Sequence, residues 1–182
     1  MIKKYHRILK TGTSDSRKNW FAVGDYKKRP NVVGDTKTTS PEKVSIAMEK
    51  LISTYYKKKF PTLESIIEFH YVFEQIHPFQ DGNGRVGRLI MFKECLANNI
   101  TPFIIEDKYK MFYYRSLKNN QNKNAKRLPT GPCHINNDFV QTQCMGIGLK
   151  EYRNEKGYLL DTCRSAQDEY EKLINYFFPK SK

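Results

Sequence analysis

A helix cannot run unbroken through His77-Pro-Phe-Gln-Asp-Gly-Asn-Gly-Arg-Val-Gly-Arg88, and that interruption constrains the whole chain. The residue before a proline is pushed out of the helical region. The helix whose apolar face carries Leu63, Ile66, Ile67, His70, Phe73 and Ile76 must therefore end at His77. Gly82, Asn83 and Gly84 can take positive φ, which predicts a sharp loop. Helical spacing then resumes over Arg85 to Asn98, with Val86, Leu89, Ile90 and Leu96 inward. Upstream, Ser40-Pro41-Glu42 is a helix start, serine as N-cap and proline in the first turn, followed by Val44, Ala47, Met48 and Leu51. Further helices are expected at about 107–119 and 159–178.

Residues 1–40 are polar with scattered aromatics, and two turns are expected, at Val23-Gly-Asp-Tyr26 and Val33-Gly-Asp-Thr36. The stretch Lys27 to Val33 between them contains Pro30, which suits an edge and predicts a small exposed hairpin. One candidate strand pair and no repeat give a mainly α fold class: one domain, 1–182, a compact helical bundle with a β-hairpin at about 24–38. Residues 119–148, beginning Asn-Asn-Gln-Asn-Lys-Asn and carrying Pro129, Gly131 and Pro132, are expected to form a long loop or insertion.

Composition narrows the class. With 38% hydrophobic residues, 12 Tyr and 11 Phe, the chain is globular rather than disordered. No apolar run approaches membrane-spanning length and no signal-peptide core follows Met1, so a cytoplasmic location and no membrane partner are expected. Cys95, Cys133, Cys144 and Cys163 contain no C-x-x-C pair and are taken as free thiols; Cys133, His134 and Cys144 lack an evident fourth metal ligand. The net charge of +13 is scattered, its densest runs being Lys27-Lys-Arg29 and Lys57-Lys-Lys59, which suits a solvated surface better than a nucleic-acid interface.

The loop has the makings of a phosphate site. Gly82 and Gly84 leave amides open to close approach at a helix N-terminus, where unpaired N–H groups and the helix dipole favour an anion. Arg85 and Arg88 in the first turns oppose that dipole unless an anion is bound, and their spacing puts them on one face. Asp81 would repel bare phosphate but suits Mg²⁺, which takes one or two carboxylates together with substrate phosphates. His77 is the side chain nearby that can accept a proton near neutral pH. Phe79, between polar neighbours, is expected to anchor the loop in the core. The run Gly82-Asn-Gly84-Arg-Val-Gly87 also fits a dinucleotide fingerprint, but that pattern needs a strand before it and a βαβ unit around it.

The residues His77, Phe79, Asp81, Gly82, Asn83, Gly84, Arg85 and Arg88 match every fixed position of the Fic motif, H-x-F-x-[D/E]-G-N-G-R-x-x-R. The chain resembles that family over most of 8–118 and 149–178. The resemblance implies an adenylyltransferase in which His77 deprotonates a Ser, Thr or Tyr hydroxyl of a target protein that attacks the α-phosphate of ATP. It implies that Asp81 holds Mg²⁺, that the amides from Gly82 to Arg85 and the Asn83 side chain form an anion hole, and that Arg85 and Arg88 hold the outer phosphates. Asn31, Val32, Val33 and Gly34 would line a flap along which the protein substrate binds. Tyr113 and Tyr114 would border the base or else be core aromatics. Relatives resembling the toxin Doc have lysine where this chain has Gly84 and act as kinases, so Gly84 implies AMP transfer.

Family members often carry an inhibitory [S/T]-x-x-x-E-[G/N] helix whose glutamate pairs with the second motif arginine. Ser165-Ala-Gln-Asp-Glu169 is followed here by Tyr170, so an ordinary helix surface is the competing reading. The alternative function is a nucleotide-binding regulatory or toxin module restrained by a small inhibitory partner protein, inactive or using another nucleotide donor.

Overall fold

Local signals place most of the elements in the computed structural model, which describes residues 1–34, 36–119 and 155–177. Pro41 opens α2 (Pro41–Tyr56) with Ser40 as N-cap. Thr62 caps α3 (Leu63–Ile76) through a capping box with Ser65. After the loop come α4 (Asn83–Ala97), α5 (Asp107–Asn119) and α6 (Glu155–Phe177). The expected insertion, with Cys133, His134 and Cys144, lies outside the described residues except for Asn119, the last residue of α5.

Helix α3 is central: α2, α4 and α6 pack on it, α5 packs on α6. Its Ile66 and Phe73 are buried with Val44 and Met48 of α2 and Val86 of α4. Cys95 and Cys163 are free and buried. Among the described residues no helix is long and apolar enough to cross a membrane.

The polar first residues, to which the sequence reading assigns no element, form a helix: Ile2–Lys10 is α1, packed on α4, with Ile2, His6 and Lys10 on its buried face. The position of the hairpin is corrected. The hairpin consists of β1 (Val32–Val33) and β2 (Thr36–Lys37), paired antiparallel with Val32 opposite Lys37 and Val33 opposite Thr36. It lies around the second turn rather than between the two, because Pro30 and the bends before it cannot join the ladder. Gly34 in that turn has φ +57.

Candidate active site

The loop between α3 and α4 is held from four sides. His77 closes α3 in the left-handed region, φ 52 and ψ 61. A non-glycine residue there is uncommon and is retained only where its surroundings impose it. Gly82, φ +82, then turns the chain into α4. Asn83 and Gly84, expected to be able to take positive φ, instead lie at the start of the helix. The buried carboxamide of Asn83 clasps the backbone of Phe79: its oxygen accepts from the Phe79 N–H at 2.7 Å and its nitrogen donates to the Phe79 carbonyl at 2.8 Å. Both ends of that side chain are thereby used in shaping the loop, which leaves backbone amides as the groups facing an anion.

Phe79 is fully buried and stacks on His6 of α1, centroids 4.0 Å apart and planes within 1°. His6 Nδ1 accepts from the Gly24 amide at 2.9 Å, so its Nε2 carries the proton and donates to the Asp81 carbonyl at 3.1 Å. Burial lowers the pKa of His6, as this neutral role requires. Lys10, also buried, donates at 2.7 Å to Asp15 and at 2.6 Å to Asp81. Arg85 reaches the same Asp81 oxygen at 3.1 Å. Burial pulls the Asp81 carboxyl upward, but the Lys10 hydrogen bond and the cations around it leave it below the usual carboxylate range.

The first turn of α4 holds no acid, and Gly82 provides no side-chain cap. The first paired amide is that of Val86, to Gly82 at 3.0 Å; the N–H groups of Asn83, Gly84 and Arg85 have no acceptor among the described residues. His77 stands before this helix end with Nδ1 3.4 Å from the Glu74 carbonyl. A carbonyl only accepts, so Nδ1 carries the hydrogen and Nε2 is the basic nitrogen. Burial, joined by the charge of Lys27, pushes the imidazole down to about 4.

Arg88 is half-buried, 5.8 Å above the Tyr113 ring, and no carboxylate among the described residues lies at ion-pair distance. Behind it Tyr113 is buried with its hydroxyl 2.7 Å from His70 Nε2, whereas Tyr114 is exposed. Of the two tyrosines proposed to border a base, Tyr113 is a core aromatic and only Tyr114 presents surface, because α5 turns the first toward α3. Glu74 is also buried here, its Oε1 without a partner, and burial raises its carboxyl to about 7 against the opposing pull of Arg88.

Gly87 exists for this packing. A methyl group there would sit 2.5 Å from Glu74 Oε1 and 2.9 Å from the His70 ring. Alanine normally stabilises a helix interior by about 1 kcal/mol over glycine, but overpacking costs about 1–3 kcal/mol. Gly87→Ala is expected to lower stability by about 1–2 kcal/mol in urea denaturation, the reverse of the helix-propensity expectation. A gain in stability would show that His70 and Glu74 can move aside.

Glu169 is ion-paired to Lys108 on the α5–α6 interface and not to Arg88. Asn31 is not simply a flap-lining residue: its carboxamide donates to the Phe79 carbonyl at 3.0 Å, while Val32, Val33 and Gly34 are exposed. The sequence reading missed His6, Lys10, Lys27, Glu74 and His70. The i, i+4 spacing of Ile2, His6 and Lys10 was the available signal for the α1 pair.

The arrangement has relatives. Residues 1–95 match the family model described as Fic/DOC family. "Protein adenylyltransferase Fic" of Aedes aegypti is 31% identical over 98 residues, 52% of this chain and 20% of that protein. The protein of the same name from Nematostella vectensis is 33% identical over 99 residues, 52% of this chain and 23% of that protein. The match thus spans about a fifth of the curated relatives' length. Among solved structures, a Fic domain containing signaling protein from Bacteroides thetaiotaomicron superposes with TM-score 0.66 at 22% identity, over 99% of this chain and 69% of that one. A Fic-1 fragment from C. elegans gives TM-score 0.64 at 17% identity, over 99% of this chain and 44% of that one. A family model that covers 1–95 and a fold shared over nearly the whole chain lead to one conclusion: this chain belongs to the Fic/DOC family.

Proposed function

We propose that the chain is a protein adenylyltransferase that moves AMP from ATP to a Ser, Thr or Tyr hydroxyl of a target protein. The observation that carries this reading is a neutral imidazole a few residues before an acid-free helix end: His77 ends α3, and the loop it opens leads into α4, where the amides of Asn83, Gly84 and Arg85 have no partner among the described residues. Such a terminus favours an anion by dipole and by hydrogen bonding together. In this reading those amides receive the phosphates, and Arg85 and Arg88 hold the outer ones. Nε2 of His77 takes the proton of the target hydroxyl as its oxygen bonds to the α-phosphorus. The bond from that phosphorus to the β-phosphate bridging oxygen breaks, and pyrophosphate leaves.

The donor set fits Mg²⁺ bound together with the nucleotide. Asp81 is half-exposed, and among the described residues no three His, Cys, Asp or Glu side chains cluster to hold a metal alone. One carboxylate with phosphate oxygens and water is the set Mg²⁺ commonly takes. When bound, it would neutralise phosphate charge beside Asp81. The exposed edge of Val32 and Val33 is available for strand-like pairing with a target segment, which would bring its hydroxyl to His77.

The test is incubation of the purified chain with Mg²⁺ and ATP labelled at the α-phosphate, in parallel with γ-labelled ATP, with and without cell lysate. Protein label from the α-position alone is the expected result. Label from the γ-position alone would replace this reading with a kinase, and nucleotide binding without labelling would replace it with a regulatory module.

A further inference from the structure

Lys27 sits at the foot of the hairpin, and its side chain is only 3% exposed. Its ammonium donates to Asn31 Oδ1 at 2.7 Å and to Thr38 Oγ1 at 2.6 Å, and no carboxylate among the described residues pairs with it. Both acceptors are neutral. A buried charge without a counter-charge is costly, and replacing it by an apolar side chain is often neutral or stabilising, so stability alone does not account for it. Burial pushes the amine down to about 8, which still leaves it largely charged at neutral pH.

Its connections run in two directions. Asn31 precedes β1 and Thr38 follows β2, and the Thr38 hydroxyl lies 2.9 Å from the Asn31 carbonyl and 2.6 Å from its carboxamide oxygen, so the lysine ties both feet of the hairpin together. The Lys27 amide donates to the Pro78 carbonyl at 2.9 Å, and Asn31 donates to the Phe79 carbonyl at 3.0 Å. The hairpin is thereby fastened to the two residues that follow His77. The charged groups acting on that imidazole are Lys27 from the hairpin foot and Asp81 from the loop, opposite in sign, with the Glu74 carbonyl at Nδ1 from α3.

We propose that Lys27 is a positioning residue for AMP transfer, its ammonium joining the two feet of the target-receiving hairpin, which Asn31 and the Lys27 amide fasten to the loop that carries His77. The inference rests on the transfer reaction assigned above. It gives one lysine two tasks: holding the edge at a set height over Nε2, and disfavouring a second proton on the ring before the target hydroxyl arrives.

The experiment compares the unaltered chain with Lys27→Met, Lys27→Gln and Lys27→Arg, following the His77 Cε1 proton by NMR over pH, assigned by its loss in His77→Gln. Both neutral variants are expected to raise the His77 midpoint by about 0.5 unit or more, and Lys27→Arg to leave it near the original. In the labelling assay the neutral variants should lose about 10–100-fold in kcat with ATP affinity held, and Lys27→Arg should recover most of that rate. An unmoved His77 midpoint would overturn the inference, as would neutral variants that transfer at the original rate. Loss of the fold in both neutral variants but not in Lys27→Arg would also overturn it, since the charge would then serve stability. If the unaltered chain transfers no AMP, the reaction fails, while the titration still decides whether Lys27 acts on His77.

Discussion

His77→Ala is expected to lower the rate of AMP transfer by about 10²–10⁴-fold in kcat, the range lost with a positioned general base. ATP affinity should stay within about twofold, because in the proposed reaction the ring acts in the transition state and the α4 amides and the arginines hold the phosphates. Pulse labelling with α-labelled ATP measures the first quantity and equilibrium binding the second. An unchanged rate would remove His77 from the mechanism. Burial pushes the imidazole down to about 4, so the ring is unprotonated throughout the neutral range. In the proposed reaction the unaltered chain should therefore show no loss of rate through His77 between pH 8 and about 6, and a decline only as pH falls toward that value.

Phe79→Ala is expected to destabilise the fold by about 3–5 kcal/mol, the cost of emptying a buried phenyl site. Its ring stacks on His6 at 4.0 Å and lies near Tyr26 and Phe73, centroids 5.8 and 6.4 Å away, so α1, the segment after Gly24 and α3 would all border the cavity. Because the backbone of the same residue is clasped by Asn83 and Asn31, the loop geometry should loosen as well. Urea denaturation gives the stability change, and Phe79→Leu, which fills more of the volume, should lose less. A loss under about 1 kcal/mol would mean that the loop is held by its polar contacts rather than by the ring.

Much of the fold was legible because its signals are local. The helix starts at Pro41 and after Thr62 rest on caps and proline geometry that act within one turn. The end of α3 at His77 follows from Pro78, although the backbone there went to the left-handed region rather than to the extended one usual before proline. What was not legible is α1. Its apolar residues are few, Ile2, Tyr5 and Leu9 on the core side, and the rest of its buried face is polar and explained by what it meets: His6 finds Phe79 and the Asp81 carbonyl, and Lys10 finds two carboxylates.

The same division runs through the site. The sequence alone determined the chemistry within one loop, an imidazole, a carboxylate, flexible glycines and two arginines on adjacent turns, because residues that close along the chain share a site whatever the rest does. Only the tertiary structure decided which of these groups are free to act. Asn83 is taken by Phe79, Asp81 by Lys10 and Arg85, Tyr113 by His70 and Arg88, while the first amides of α4 are left without partners among the described residues. The partners lie up to 75 positions away in sequence, as His6 and Asp81 do, and no pattern of spacing encodes a hydrogen bond made across packed helices. Burial, which keeps the His77 imidazole neutral and encloses Lys27 with no carboxylate partner among the described residues, is likewise a property of the assembled core.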